Sequence, residues 1–283
     1  MKSQHQRFRH SVELTMGGVL FAALTLCVSN ANALDPNTKD PRAIMKAVND
    51  RDNGDKLISR SKWTLTDRSG RKRERELQLW RIDFAEGTKA LMIYESPADV
   101  RNTGFLSIDY DDGNKDDDQW LYLPSLHKTT RVASADKSDS FLGTDLSYYD
   151  MSTTTNLDAN SYKLLEQSVK VDGDDCWLIE VTPTTAKEKK ESGYLKSQVW
   201  ISKKSLLLVQ VKAWVAKGQK LKYIKFSGIK KVDGIWTPHK FVVRTLKKDK
   251  LESSTTVEFT SIQYNQASVK DEMFTQRRLE KGL

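Results

Sequence analysis

The chain has 283 residues, of which 38% are hydrophobic: too few for a bundle of membrane spans, yet enough to bury a core. Its formal charge is +8, from 46 Lys and Arg against 38 Asp and Glu. The excess is modest and spread along the chain, which argues against a specialised nucleic-acid binder.

Residues 1–33 have the three parts of a secretory signal: basic Lys2, Arg7 and Arg9, an apolar run from Met16 to Val28, and Ala31-Asn32-Ala33 as a cleavage site. That run is 13 residues long, whereas a membrane span needs about 20. A cleaved leader over 1–33 and a periplasmic mature chain are therefore expected. Cys27 lacks the small preceding residue of a lipidation site. Its removal leaves Cys176 alone, so no internal disulfide can form. Cys176 alternates with strand neighbours and reads as a small buried apolar residue.

Asp40 as N-cap and Pro41 at the first position predict a short helix with Ile44, Met45 and Val48 on one face. From about residue 57 the period changes to two. Strands are expected at 57–67, 73–84, 89–95, 104–109, 119–124, 127–133, 161–171, 175–183, 195–202, 206–215, 219–228, 235–246 and 254–264, separated by turn signals such as Asp172-Gly173 and Asp233-Gly234. Short connections imply antiparallel neighbours. The run Leu206–Val215 is apolar on much of both faces, as in a curved sheet with a covered interior. No long Pro- or Ser-rich linker divides 34–283, so these residues are read as one continuous β-rich domain. The stretch Lys187–Glu191 reads as a solvated hairpin tip and Asp109–Asp118 as a solvated acidic loop. Strands charged on both faces, such as Lys220–Phe226, do not suit a membrane-spanning barrel.

Catalytic signals are sparse. The acidic loop resembles a calcium loop, but counting from Asp109 its Gly falls fifth rather than sixth and the twelfth place is Trp120, not Glu. There is no Gly-x-Ser-x-Gly elbow, phosphate loop, His-Glu-x-x-His or paired-cysteine pattern. His127 and His239, each beside a Lys, read as polar surface residues. No metal, cofactor or enzymatic chemistry is expected. Seven Trp, nine Tyr and nine Phe could instead line a cavity for a lipid. Burying an acyl chain gains about 0.8 kcal/mol per methylene, on the order of 12 kcal/mol for 16 carbons before ordering costs.

The middle of the chain carries Ser96-Pro97, Gly104-Phe105-Leu106, Trp120-Leu121-Tyr122-Leu123-Pro124-Ser125-Leu126, Arg131-Val132 and Phe141-Leu142-Gly143-Thr144-Asp145-Leu146-Ser147-Tyr148-Tyr149-Asp150. Gly234-Ile235-Trp236-Thr237-Pro238 and Asp271-Glu272-Met273-Phe274-Thr275 follow near the end. This series resembles the outer-membrane lipoprotein-sorting protein family, a branch of the LolA/LolB-like superfamily, over most of the mature chain. The resemblance implies a mainly β fold with a few helices (α+β), a single antiparallel sheet curled into an unclosed half β-barrel over a hydrophobic cavity, with a helical lid. It also implies an acyl lipid or lipoprotein as cargo, transient contact with membrane surfaces, and an RND-type inner-membrane permease as partner.

Within that frame Trp80, Phe84, Phe105, Trp120, Tyr122, Trp200 and Trp214 are the candidates for the cavity wall. Ile44, Met45 and Val48 are candidates for the lid, and Lys128 and Arg131 for a rim that attracts an anionic head group. Gly104 and Gly143 are expected to permit turns and Pro124 to end a strand. A one-residue register shift would invert each wall assignment. The leading reading is a carrier that moves acyl chains between inner- and outer-membrane partners without covalent chemistry. A lipoprotein sensor like the amino-terminal domain of RseB-type regulators is the second, and a lipid- or glycan-modifying enzyme the third.

Overall fold

The computed structural model describes residues 34–153 and 156–282; the expected leader lies outside them. The first element is helix α1 (Pro41–Asn49). The Asp40 carboxylate accepts from the backbone N–H groups of Arg42 and Ala43 at 2.9 and 3.1 Å, satisfying two donors that a helix start leaves open.

Fifteen strands follow among the described residues. The first six are β1 (Lys56–Thr66), β2 (Lys72–Phe84), β3 (Gly87–Ser96), β4 (Gly104–Tyr110), β5 (Asp118–Leu123) and β6 (Lys128–Arg131). A long crossover leads to β7 (Asn160–Val171) and β8 (Asp174–Pro183), then helix α2 (Ala186–Ser192), β9 (Tyr194–Ser202), β10 (Leu208–Val215) and β11 (Lys220–Ser227). A separate hairpin, β12 (Lys230–Val232) and β13 (Ile235–Thr237), precedes β14 (Lys240–Lys247), β15 (Lys250–Tyr264) and helix α3 (Gln276–Lys281).

Thirteen strands form one antiparallel sheet in the order β6-β5-β4-β3-β2-β1-β15-β14-β11-β10-β9-β8-β7. It curls without closing, the half-barrel that the resemblance implies. Each wing is a meander built from local pairings, and the wings join where β1 meets β15, with Trp63 opposite Val257. The expected strand 235–246 is in fact two strands, β13 and β14, interrupted at Pro238, which has no N–H to give to a ladder. The expected hairpin tip at Lys187–Glu191 is helix α2. Thr185 accepts from the Glu188 N–H at 3.1 Å and Gly193 ends the helix in the left-handed region.

The register assigns the faces. On the inner face of the first wing, Leu79, Met92, Phe105 and Leu121 form one cross-strand row; on the outer face Trp80, Leu91, Leu106 and Trp120 form the next. The second wing has an inner row Ile179, Val199, Val211, Ile224 and Val243. Beyond β15 the chain returns over the outer face of the first wing, where Val269, Phe274 and Leu279 are buried against Trp80, Ile82, Leu91, Ile93 and Leu106. Gly104 belongs to this contact: a Cβ there would stand 2.5 Å from Leu279 Cδ1. Its role is close approach within a strand rather than a turn, whereas Gly143 does take a left-handed φ of 76°. Pro124 does end β5.

Candidate functional site

The crossover from β6 to β7 passes under the inner face and divides it into two unlike halves. Against the first wing it lays Phe141, Leu146 and Tyr148. Phe141 is fully buried, with its ring centroid 5.1 Å from that of Phe105 and 6.3 Å from that of Trp63; Tyr148 lies 5.4 Å from Phe141. The chain itself fills this half of the trough.

Two carboxylates pin the crossover in place. Asp145 accepts from the hydroxyls of Thr245, Ser253 and Thr255 at 2.5, 2.5 and 2.7 Å, while its own N–H donates to Thr255 Oγ1. Asp150 accepts from Tyr194 Oη and from Lys222 Nζ, both at 2.7 Å, and from the Ser147 N–H at 2.8 Å. Burial by itself would raise the Asp150 carboxyl, but Lys222 and these hydrogen bonds outweigh it and hold the group below its ordinary value. The Phe141–Asp150 block is thus a plug with two anchors. At the far end of β4, Asp109 Oδ2 accepts from both the N–H and the hydroxyl of Thr153 at 2.7 Å. Asp109 is fully buried, which pushes its carboxyl up to about 6 despite those two bonds. The acidic stretch is therefore solvated only over 111–116: Asp109 lies under the crossover, and Asp117 and Asp118 are partly buried at its other end.

The second wing keeps a vacancy. Helix α1 lays Ile44, Met45 and Val48 against Trp177, Ile179, Val181, Val199 and Ile201. Beside it, a cavity of about 440 Å³ is walled by Met45 and Val48 of the helix and by Val181, Val199, Val211, Ala213, Ile224 and Phe226 of β8–β11. That volume lies within the range of about 300–1,000 Å³ usual for small-molecule sites. Asp150, Tyr194 and Glu188 form part of its polar edge. Across Asn49, Tyr149, Ser152 and Glu188 it adjoins a second, polar cleft of about 750 Å³ bounded by α2, the β4–β5 loop and the crossover.

The expected wall residues are not brought together. Phe105 alone of the seven lies on the inner face, under Phe141 and Tyr148. Trp80, Trp120 and Tyr122 lie on the outer face against the returning C-terminal segment. Phe84 continues that outer row and stacks edge-on with Tyr110 at 6.3 Å. Trp200 and Trp214 face outward from the second wing, the latter between Lys196 and Lys212 at 5.0 and 4.7 Å. None of the seven lines the apolar cavity, whereas the lid candidates Met45 and Val48 do. Arg131 is held by Asp118, its Nε 3.0 Å from Oδ1, and Lys128 is exposed on the sheet's edge strand. Neither borders the two voids. The residues that do were carried by weaker signals: the doubly apolar run 206–215, which holds Val211 and Ala213, and the Thr185-x-x-Glu188 capping pattern, which marks α2.

Cys176 is fully buried, and burial pushes its thiol up to about 12. Among the described residues no group of three or more His, Cys, Asp or Glu side chains is arranged to hold a metal ion, and no helix is long and apolar enough to cross a membrane.

A family model described as "Uncharacterized protein" matches residues 86–281. No curated protein matches the sequence. Among solved structures, the chain is similar to a domain described as that of an outer membrane lipoprotein-sorting protein from Vibrio parahaemolyticus, at 27% identity and a TM-score of 0.75, over 85% of this chain and 98% of that one. It is equally similar to a DUF1329 family protein from Desulfovibrio piger, with 27% identity and a TM-score of 0.76 over 87% and 99% of the two chains. A LolA superfamily protein from Nitrosomonas europaea shares the fold at 15% identity and a TM-score of 0.63, over 84% and 98%.

Proposed function

We propose that this chain, which belongs over residues 86–281 to a family described as "Uncharacterized protein" and has the LolA-like fold, is a periplasmic carrier, freed of residues 1–33, that shields the acyl part of a lipid or lipoprotein and passes it between inner- and outer-membrane partners. The observation that carries this reading is the apolar cavity beneath α1, on the half of the trough that the crossover leaves open. An apolar void of that kind gains free energy when methylenes leave water for it, about 0.8 kcal/mol each. The helix reaches the cavity through Met45 and Val48 and has a single short connection to β1, so it can swing aside to admit a chain. The partner we assign is an RND-type permease, as the sequence resemblance implies, with brief contact at the membrane surface during exchange. No covalent step belongs to this proposal. The relative from Vibrio parahaemolyticus, described as a lipoprotein-sorting domain, supports this class of cargo.

The test is uptake of a fluorescent fatty acid, together with native mass spectrometry of protein purified from membrane-containing cells. The wild type is expected to carry one acyl lipid and to take up the probe. Val211→Phe, which projects a ring into the cavity from β10, is expected to cut uptake at least tenfold with little change in melting temperature. A protein that is always empty and refuses the probe would defeat the proposal.

A further inference from the structure

The polar cleft beside the apolar cavity has a charge opposite to that of the chain as a whole. Six carboxylates line it, Asp50, Asp111, Asp117, Asp158, Glu188 and Glu191, against Lys115, Lys137 and Lys187. Two of those lysines are turned to acids outside the lining: Lys115 pairs with Glu86 at 3.0 Å and Lys187 with Asp116. Asp50 and Asp158 pair in turn with Lys46 and Arg42. Four carboxylates then face one ammonium, that of Lys137.

Their individual partners make the surplus specific. Glu188 accepts from Tyr149 Oη and, at 3.3 Å, from Asn160 Nδ2, both neutral donors. Burial and the Glu188 charge keep the Tyr149 hydroxyl protonated far above its ordinary range, so it offers no negative charge of its own. Glu191 is only 6% exposed; its Oε2 accepts from Lys137 at 3.2 Å, while Oε1 has no donor among the described residues. A buried carboxylate oxygen without a donor costs free energy that a charged N–H group recovers. Glu188 also borders the apolar cavity, so the acidic wall continues into the space assigned to the acyl chains.

We infer that the cleft receives a primary ammonium head group, held by Glu188 and Glu191, of the lipid whose chains occupy the adjoining cavity. This rests on the carrier reading and narrows it: the favoured cargo is an amine-bearing lipid rather than one with a purely anionic head group.

The test offers the purified full chain to phosphatidylcholine vesicles carrying pyrene-labelled phosphatidylethanolamine, the same lipid acetylated on its nitrogen, or the matching phosphatidylglycerol. Label transferred to the protein is the readout. The ethanolamine lipid is expected to exceed both others about tenfold, the return on one charge-assisted hydrogen bond. Glu191→Gln is expected to bring that ratio to about one while leaving uptake of the fatty-acid probe unchanged. The acetylated lipid asks the same question of the wild type, so the outcome does not depend on the variant folding. Equal transfer of all three lipids to a protein that takes the fatty acid overturns this inference and leaves the carrier standing, and so does displacement of the label by free ethanolamine, which would mark a site for a soluble amine. Failure to take any of them, fatty acid included, overturns both.

Discussion

The two halves of the inner face are built alike and finished differently. Each is a meander whose inward residues form apolar rows, Leu79-Met92-Phe105-Leu121 in one and Ile179-Val199-Val211-Ile224-Val243 in the other. Over the first, the chain spends its own aromatic residues: Phe141 and Tyr148 occupy the trough, and Asp145 and Asp150 fasten them there. Over the second, one amphipathic helix leaves 440 Å³ unfilled. A sheet of this kind is stable only when its inner face is covered, so the difference lies in who supplies the cover. One half has a permanent internal guest; in the carrier proposed above, the other is left for an external one.

Damage to the plug is expected to cost more than damage to the outer face of the second wing, where Trp200 and Trp214 point outward. Phe141→Ala removes a fully buried ring from the middle of the first half and is expected to cost about 3–5 kcal/mol in denaturant titration. If the variant folds, a second vacancy opens and longer acyl probes should be accepted. A loss below about 1 kcal/mol would mean that the crossover is not the cover the geometry makes it.

Asp145→Ala leaves the Thr245, Ser253 and Thr255 hydroxyls without their common acceptor and is expected to cost about 3 kcal/mol. Asp109→Asn should act in the other direction. The folded carboxyl titrates at about 6, above the unfolded value of about 3.9, so the native state holds the proton more tightly and stability falls as pH rises from about 4 through 6. The amide removes that loss. The variant should gain about 2–3 kcal/mol at pH 8 and nothing at pH 3.5, which thermal melts across that range would read. The smallest effect is expected outside the trough: Trp214→Ala, which loses the contacts with Lys196 and Lys212, should cost about 1 kcal/mol or less and leave probe uptake as it was.

Much of the architecture can be read locally along the chain. Alternation of apolar residues placed nearly every strand within a few positions, because a side chain in a strand can face only one of two sides. Asp40, Pro41 and the Ile44-Met45-Val48 stripe located α1 by local capping and periodicity, and the Trp-Leu-Tyr-Leu-Pro and Phe-Leu-Gly-Thr-Asp blocks indicated the LolA-like fold. Which side of each strand is inside depends on long-range packing. Trp80 and Trp120 have the aromatic mass of cavity residues, yet the C-terminal segment returns over the outer face and buries them there. Nor does any local rule show that Phe141, distant in sequence from Trp63, fills the trough, or that Glu188 and Glu191 on a short charged helix turn into a cleft. Period two fixes that neighbours oppose one another but not the sign of the face. The sign is set by long-range contacts, since each apolar surface settles against whichever segment the topology brings to it.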